Sequence, residues 1–353
     1  MTYDEILPQA GAIARASARI AAAPDVATLV SCAAEVRQLA VALHREEAGP
    51  ALVTQALSRL NDAIGERVLA VLAPRFRLPP ARWCWLGLGS EGRLEQTLAT
   101  DQDNGLVFSA LDDGEARQLR ELFLPFARAA NQALAECGFP LCDGEVMAGN
   151  PRWCLSLSEW LESFSGWVRT PEPEALLNAA IFFDFRPLAG DHGLAAVLRR
   201  ALSDLTRGNE IFLRMMTVNA LAAQPPLGRL RDFAVEAGSG GMIDLKKFGS
   251  RIFVDAARIL ALGAGIPETG TAPRLRRAAE EGVMTGADAE AWIHAFHAVQ
   301  GIRLAVQVAA GERPGNLVDP LQLNDFDRRV LLEGLRQARA MQQLLKSRYH
   351  IET

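Results

Sequence analysis

Apolar residues recur at helical spacing through residues 1 to about 76, and the pattern breaks at Pro24-Asp25 and again near Gly49-Pro50. Such breaks do not continue a helix, so three helices are predicted there. The period then changes. Arg82-Trp83-Cys84-Trp85-Leu86-Gly87-Leu88-Gly89-Ser90 is a short aromatic and apolar run ending in glycines, and Asn104-Gly105-Leu106-Val107-Phe108 is a second. Both read as strands, with a polar loop between them. Asp112-Asp113-Gly114-Glu115 supplies helix-start chemistry. Leu119, Leu122, Phe123, Phe126, Ala130, Ala133 and Leu134 then hold helical spacing until Gly138, with Pro125 expected to kink or divide the helix.

Residues 138–152 are rich in Gly, Asn and Pro and read as a loop. An amphipathic segment around Trp160, Phe164 and Trp167 follows, its aromatics read as core. Ala180-Ile181-Phe182-Phe183-Asp184-Phe185-Arg186 is a further strand candidate, with Asp184 inside it. Beyond about 191 the pattern is helices joined by turns at Pro225-Pro226, Gly238-Ser239-Gly240-Gly241, Gly265-Ile266-Pro267 and Arg313-Pro314-Gly315. The last helix places Leu331, Leu335, Ala338, Met341 and Leu345 on one face, a bundle pattern. The fold class is therefore α+β. A small mixed-sheet domain over 76–200 is flanked by an N-terminal helical region, 1–75, and a C-terminal helical domain, 201–353.

The 353 residues are enough for two or three domains and a sizeable core. Lys and Arg number 37 against 42 Asp and Glu, a net charge of −5, with no basic stripe. A chain that neutralises many phosphates of a nucleic acid needs basic excess, so no nucleic-acid partner is expected. Arg274, Arg276 and Arg277 read as a solvated helix face. The start lacks a basic n-region and an unbroken apolar h-region, and no run reaches 18 consecutive apolar residues. A cytoplasmic protein with no membrane partner is expected. The five cysteines, at 32, 84, 137, 142 and 154, form no CxxC pair and read as reduced thiols in or near the core. His294 and His297 lack the partners of a zinc site.

Chemistry concentrates in Gly89-Ser90-Glu91-Gly92-Arg93-Leu94-Glu95-Gln96-Thr97-Leu98-Ala99-Thr100-Asp101-Gln102-Asp103-Asn104. On a strand, residues i and i+2 share a face, so Asp101 and Asp103 can set two carboxylates side by side. Two like charges so placed call for a cation, and Mg²⁺ takes carboxylates together with phosphate oxygens and water. Gly89-Ser90 ends a strand in a turn whose main chain and hydroxyl could face phosphates, and Arg93 offers a planar fork. Taken alone, Asp-x-Asp is equally the mark of an exposed turn or an ion-free strand end. The ordered combination is far more specific.

Gly89-Ser90-x-x-Arg93-x-Glu95 followed by Thr100-Asp101-x-Asp103 resembles the signature of the polymerase β-type nucleotidyltransferase superfamily, and within it the bacterial DUF294 family. That family is similar to the PII-protein uridylyltransferases and glutamine synthetase adenylyltransferases. Val146-Met147-Ala148-x-Asn150-Pro151-x-Trp153, Phe182-Phe183-Asp184-x-Arg186-Pro187, Pro225-Pro226-Leu227-Gly228 and Ile243-Asp244-Leu245-Lys246 also look like its landmarks, so the resemblance covers roughly 76–350.

The resemblance implies a nucleotidyltransferase sheet in which Asp101, Asp103 and a third carboxylate, best placed at Asp184, hold Mg²⁺ (or Mn²⁺) on a nucleoside triphosphate. Asp184 taken alone reads equally as a core aspartate paired with Arg186 or another arginine. Gly89, Ser90 and Arg93 would bind phosphates. Glu95 would hold Arg93 or the loop. Lys246, with Lys247 and Arg251, could reach phosphates or serve solubility. The implied reaction moves UMP or AMP from UTP or ATP to an acceptor hydroxyl, on a protein by analogy with the PII enzymes. A small-molecule acceptor and a silent nucleotide-sensing module are the other readings. The cyclic-nucleotide and CBS domains common in the family, and an HD-type metal pattern, have no counterpart here, so neither direct adenosine-ligand sensing nor nucleotide removal is expected.

Overall fold

In the computed structural model the described residues are 3–228, 233–234, 241–311 and 315–352. The predicted turns at Gly238-Ser239-Gly240 and Arg313-Pro314 lie outside them. The fold is α+β, mostly helical with one small mixed sheet. The chain divides into two units, 1–165 with 181–201, and 166–180 with 202–353.

In the first unit α1 (Tyr3–Ala22), α2 (Val26–Arg45) and α3 (Pro50–Leu72) pack on one another. The breaks between them follow from the residues there. Asp25 caps α2, its carboxylate accepting from Thr28 N–H at 2.8 Å, and Pro50 occupies the first turn of α3, where its missing N–H costs nothing. These helices belong to the same unit as the sheet rather than to a segment of their own. Among the described residues one helix, α2, is long and apolar enough to cross a membrane by length and composition. A criterion of unbroken apolar residues passes over it because Glu35 and Arg37 interrupt the run. Its Leu29, Cys32, Ala33, Val36, Ala40 and Leu43 form one buried stripe, the pattern of a helix packed inside a protein.

The sheet has the order β3-β2-β1-β4, where β1 is Trp83–Gly87, β2 Asn104–Phe108, β3 Cys154–Ser156 and β4 Arg186–Gly190. β1 is antiparallel to β2, with Gly87 opposite Asn104, and to β4, with Gly87 opposite Arg186, while β3 runs parallel to β2. Between β1 and β2 lies a single helical turn, α4 (Gly89–Gly92). After β2 comes α5 (Asp113–Glu136), capped by Asp112 and packed on α3 and β3. α5 passes through Pro125 unbroken. The proline is exposed, so the carbonyl it leaves unpaired one turn earlier can be served by water.

The strand expected over Ala180–Arg186 is not one. α6 (Leu157–Arg169) and α7 (Pro173–Phe182) come first, Phe183 to Phe185 form a turn, and β4 starts only at Arg186. The apolar run is buried for another reason. Phe182 lies on Trp153, with ring centroids 4.2 Å apart, and Phe164 meets Phe183 and Phe185 at 5.2 and 5.8 Å. Aromatic packing of this kind buries a helix end and a turn as effectively as a strand.

α8 (His192–Thr206) leads into the second unit, which contains α9 (Glu210–Ala220), α10 (Arg251–Ala264), α11 (Thr271–Glu280), α12 (Gly286–Ala310) and α13 (Asp325–Arg348), with a two-residue ribbon of β5 (Ile243–Asp244) and β6 (Leu317–Val318). Leu331, Leu335, Ala338, Met341 and Leu345 of α13 are all buried, as their spacing predicts. Arg276 and Arg277 lie on the surface, paired with Glu290 and with Glu280 and Glu281. Arg274 departs from the solvated-face reading: it is buried, with Nε donating to the Glu268 carbonyl.

Candidate active site

The loop between β1 and β2 is held by its own backbone before any side chain acts. Leu88 N–H donates to the Asp103 carbonyl at 2.9 Å, carrying the ladder one pair past the strand ends. Gly89 then turns with φ +53°, beside the Asp103 carboxylate; a Cβ there would sit 2.9 Å from Oδ2. Gly92 closes the turn where no side chain fits, because a Cβ would lie 1.8 Å from the Asp184 carbonyl oxygen. Leu94 takes the left-handed conformation (φ +58°), which costs about 1–2 kcal/mol for a residue with a side chain. Bonds from Leu94 N–H to Glu91 and from Glu95 N–H to Ser90 hold it there. α3 supports the loop from behind: Ser58 Oγ accepts from Gln96 N–H at 3.0 Å, and Asn61 donates to Gln96 Oε1 at 3.1 Å.

Asp101 and Asp103 precede β2 rather than lying on it, yet the alternation of extended chain persists. Gln102 and Asn104 are buried, while both aspartates are partly exposed. The buried pair belongs to a network of amides. Asn131 of α5 donates to Gln102 Oε1 and to Asn104 Oδ1, each at 2.9 Å, and accepts from Gly149 N–H, while Asn104 Oδ1 also accepts from Ala148 N–H. Gln102 N–H donates to the Pro140 carbonyl. The 138–152 loop is thereby fastened along the Asp-x-Asp segment, and it delivers a residue that the sequence reading left among the core thiols. The ligand atoms of Asp101, Asp103 and Cys142 all lie within 4.8 Å of one another. Cys32, Cys84, Cys137 and Cys154 are buried, whereas Cys142 is partly exposed. Burial pushes its thiol up, and its hydrogen bond to Asp103 acts the same way.

Arg93 and Asp184 are given to each other. Arg93 donates to Asp184 Oδ2 at 2.7 Å and to Glu95 at 2.8 Å, and Asp184 has no exposed surface. Asp184 thus lies against a guanidinium, and the donors whose ligand atoms converge within 4.8 Å are Asp101, Asp103 and Cys142. Arg186 pairs instead with Asp62 of α3 at 2.7 Å and donates to the Glu91 carbonyl. Burial pushes Asp62 up to about 6 despite Arg186. It pushes Glu91 up to about 8, with the negative charges of Asp62 and Asp103 adding to the effect. Ser90 is partly exposed on the turn. Lys246 belongs to the second unit, exposed in the tight turn before α10, its N–H donating to Asp244. A water-sized cavity of about 20 Å³ touches Asp101, Glu91, Asn61, Gln96, Gln102 and Asn104. A larger groove of about 410 Å³, lined by Arg128, Gln132, Leu141, Met147 and Asn150, follows the same loop and α5.

Residues 34–174 match the family model described as "Putative nucleotidyltransferase DUF294", and residues 210–349 match the one described as "Putative nucleotidyltransferase substrate binding domain". The chain belongs to the DUF294 nucleotidyltransferase family. No curated protein matches it. The first matched segment starts inside α2 and takes in α3 and strands β1 to β3 but not β4, and it contains Gly89, Ser90, Arg93, Asp101, Asp103 and Cys142. Asp184 falls outside both matched segments, and Lys246 falls in the second.

Proposed function

We propose that this DUF294 protein is a Mg²⁺-dependent transferase that moves UMP or AMP from a nucleoside triphosphate to a hydroxyl on a protein, releasing pyrophosphate. The observation that carries the reading is the convergence of the Asp101 and Asp103 carboxylates beside Gly89, where the absence of a side chain leaves room for an ion and its phosphates. Hard carboxylate oxygens suit Mg²⁺, which keeps its remaining positions for phosphate and water. Bound there, magnesium supplies the positive charge that a triphosphate needs and polarises the α-phosphate.

The chain contributes positioning. Asp101 and Asp103 hold the ion; the amides of Gln102, Asn104 and Asn131 fix the segment that carries them. Ser90 is the hydroxyl we assign to the terminal phosphates. Asp184 and Glu95 clamp Arg93, and that clamp together with Gly92 keeps the turn next to Asp103. The protein acceptor is supported by the resemblance to the PII-type enzymes and by the second matched segment, whose family is described as substrate-binding.

Calorimetry with Mg–ATP and Mg–UTP tests the site. The variant D101N/D103N should lose binding by about a hundredfold or more while keeping its melting temperature, since removing two adjacent charges relieves repulsion; unchanged affinity overturns the assignment. Pyrophosphate release in the presence of lysate fractions, followed by intact-mass measurement of the labelled partner, identifies the acceptor. Silence with all four triphosphates despite tight binding would make the protein a nucleotide sensor.

A further inference from the structure

Cys142 changes what the aspartate pair can hold. It reaches the pair from a separate segment, 39 residues beyond Asp103 in the chain, and its sulfur stands within 4.8 Å of both carboxylates. Two further contacts bear on the sulfur: the main-chain N–H groups of Gly144 and Val146 donate to it and hold it beside the carboxylates. Two hard oxygens and a soft sulfur are a poor match for Mg²⁺, which takes oxygen, and a good one for zinc-class ions, which take both. In a tetrahedral zinc site with bonds of about 2.0–2.3 Å, neighbouring donors stand ~3.5 Å apart. Donors already within 4.8 Å therefore need only side-chain rotation to close on an ion.

We propose that Asp101, Asp103 and Cys142 form a mixed carboxylate–thiolate site for a thiophilic divalent ion of the zinc class, which binds in competition with the magnesium of the transferase reaction. The magnesium half of this statement rests on the function proposed above. On binding, the sulfur–hydrogen bond of Cys142 breaks and a sulfur–metal bond forms, with the proton passing to solvent by way of its hydrogen-bond partner Asp103. Three protein donors leave a fourth position for water or a phosphate oxygen. An ion held by a thiolate resists displacement by magnesium, so the same site becomes a brake that trace zinc can apply.

Cobalt is the probe, because a cobalt–thiolate bond gives a charge-transfer band in the near ultraviolet that carboxylates do not. The full-length reduced protein, titrated with Co²⁺ in the absence of nucleotide, should develop this band, and added Zn²⁺ should abolish it. Cys142→Ser should remove the band and weaken zinc binding by at least about tenfold. Cys142→Ala repeats the test without a hydroxyl, and melting curves of both variants confirm that they are folded. D101N/D103N should also lose the band. A band that survives in C142S comes from another cysteine and overturns the proposal, as does a wild-type protein with no band or one whose band persists in D101N/D103N. Excess Mg²⁺ should raise the cobalt concentration needed for half-saturation; no shift overturns the competition. Mg–ATP binding to the wild-type protein is read separately. A cobalt band without Mg–ATP binding leaves this site standing and removes the transferase reading, and Mg–ATP binding without a band does the reverse.

Discussion

The two units bury charge with opposite results. In the helical unit Asp255 accepts from Arg258 at 2.7 Å and from Arg251 at 3.2 Å, and Arg303 spans Ser250, Gln300 and Asn316. The Asp255 pairs lie within α10, while Arg303 of α12 ties Ser250, at the start of α10, to the segment before β6. In the sheet unit, clamps of the same chemistry, Asp184–Arg93–Glu95 and Asp62–Arg186, surround a turn beside which Asp101, Asp103 and Cys142 converge, all partly exposed. A buried ion pair is thus no mark of a site by itself. What sets the sheet unit apart is a set of donors from separate segments brought to one point beside such clamps.

The comparison can be broken most severely at Gly92. G92A drives a Cβ into the Asp184 carbonyl oxygen, backbone that cannot yield, and should cost about 4 kcal/mol or more, read by urea denaturation of the sheet unit. A small loss would mean that the turn is not pinned. Next comes D255A in the bundle. It removes the carboxylate to which the fully buried Arg258 donates and should cost about 3–5 kcal/mol without altering Mg–ATP affinity in the folded protein. A change in affinity would deny that the bundle's pairs are purely structural.

A pH series sharpens the contrast further. Glu91 and Asp62 bind protons more tightly in the folded protein than at their ordinary values of 4.5 and 3.8. Their contribution is greatest in acid and is lost as pH rises, through about 6 for Asp62 and about 8 for Glu91. E91Q should flatten the decline between about pH 4.5 and 8 and raise stability at pH 8.5 by on the order of 2 kcal/mol, with water access allowed for. A slope equal to that of the wild type would place the proton elsewhere. The smallest effect belongs to G286A at the start of α12, where nothing lies within 4 Å of an added Cβ: a change within about 0.5 kcal/mol in thermal melts.

Much of this was legible in the residues. Pro24-Asp25, Gly49-Pro50 and Asp112 bound the helices because capping and proline chemistry act locally. The Gly-Ser and Asp-x-Asp segments sit on a strand-turn-strand unit, where spacing along one stretch of chain carries the geometry. What spacing cannot carry is contact between distant segments. Nothing near Cys142 announces that a network through Asn131 will bring it to Asp103. The run from Phe182 to Phe185 is apolar enough for a strand, but periodicity cannot separate a short strand from a packed helix end. β5 and β6, two residues each, are shorter than any pattern that could reveal them.

The position of β4 has a consequence for how the protein is made. β4 covers one edge of β1 and carries the chain out of the Asp184 turn, yet residues 166–180 separate it from the rest of its unit. A nascent chain that has emerged only as far as residue 174, the end of the first matched segment, possesses Asp101, Asp103 and Cys142 but leaves Arg93 without Asp184 and one side of β1 open. Open strand edges pair with other chains. A fragment cut at that boundary for biochemistry would inherit the same exposed edge, whereas one carried through residue 201 would close it.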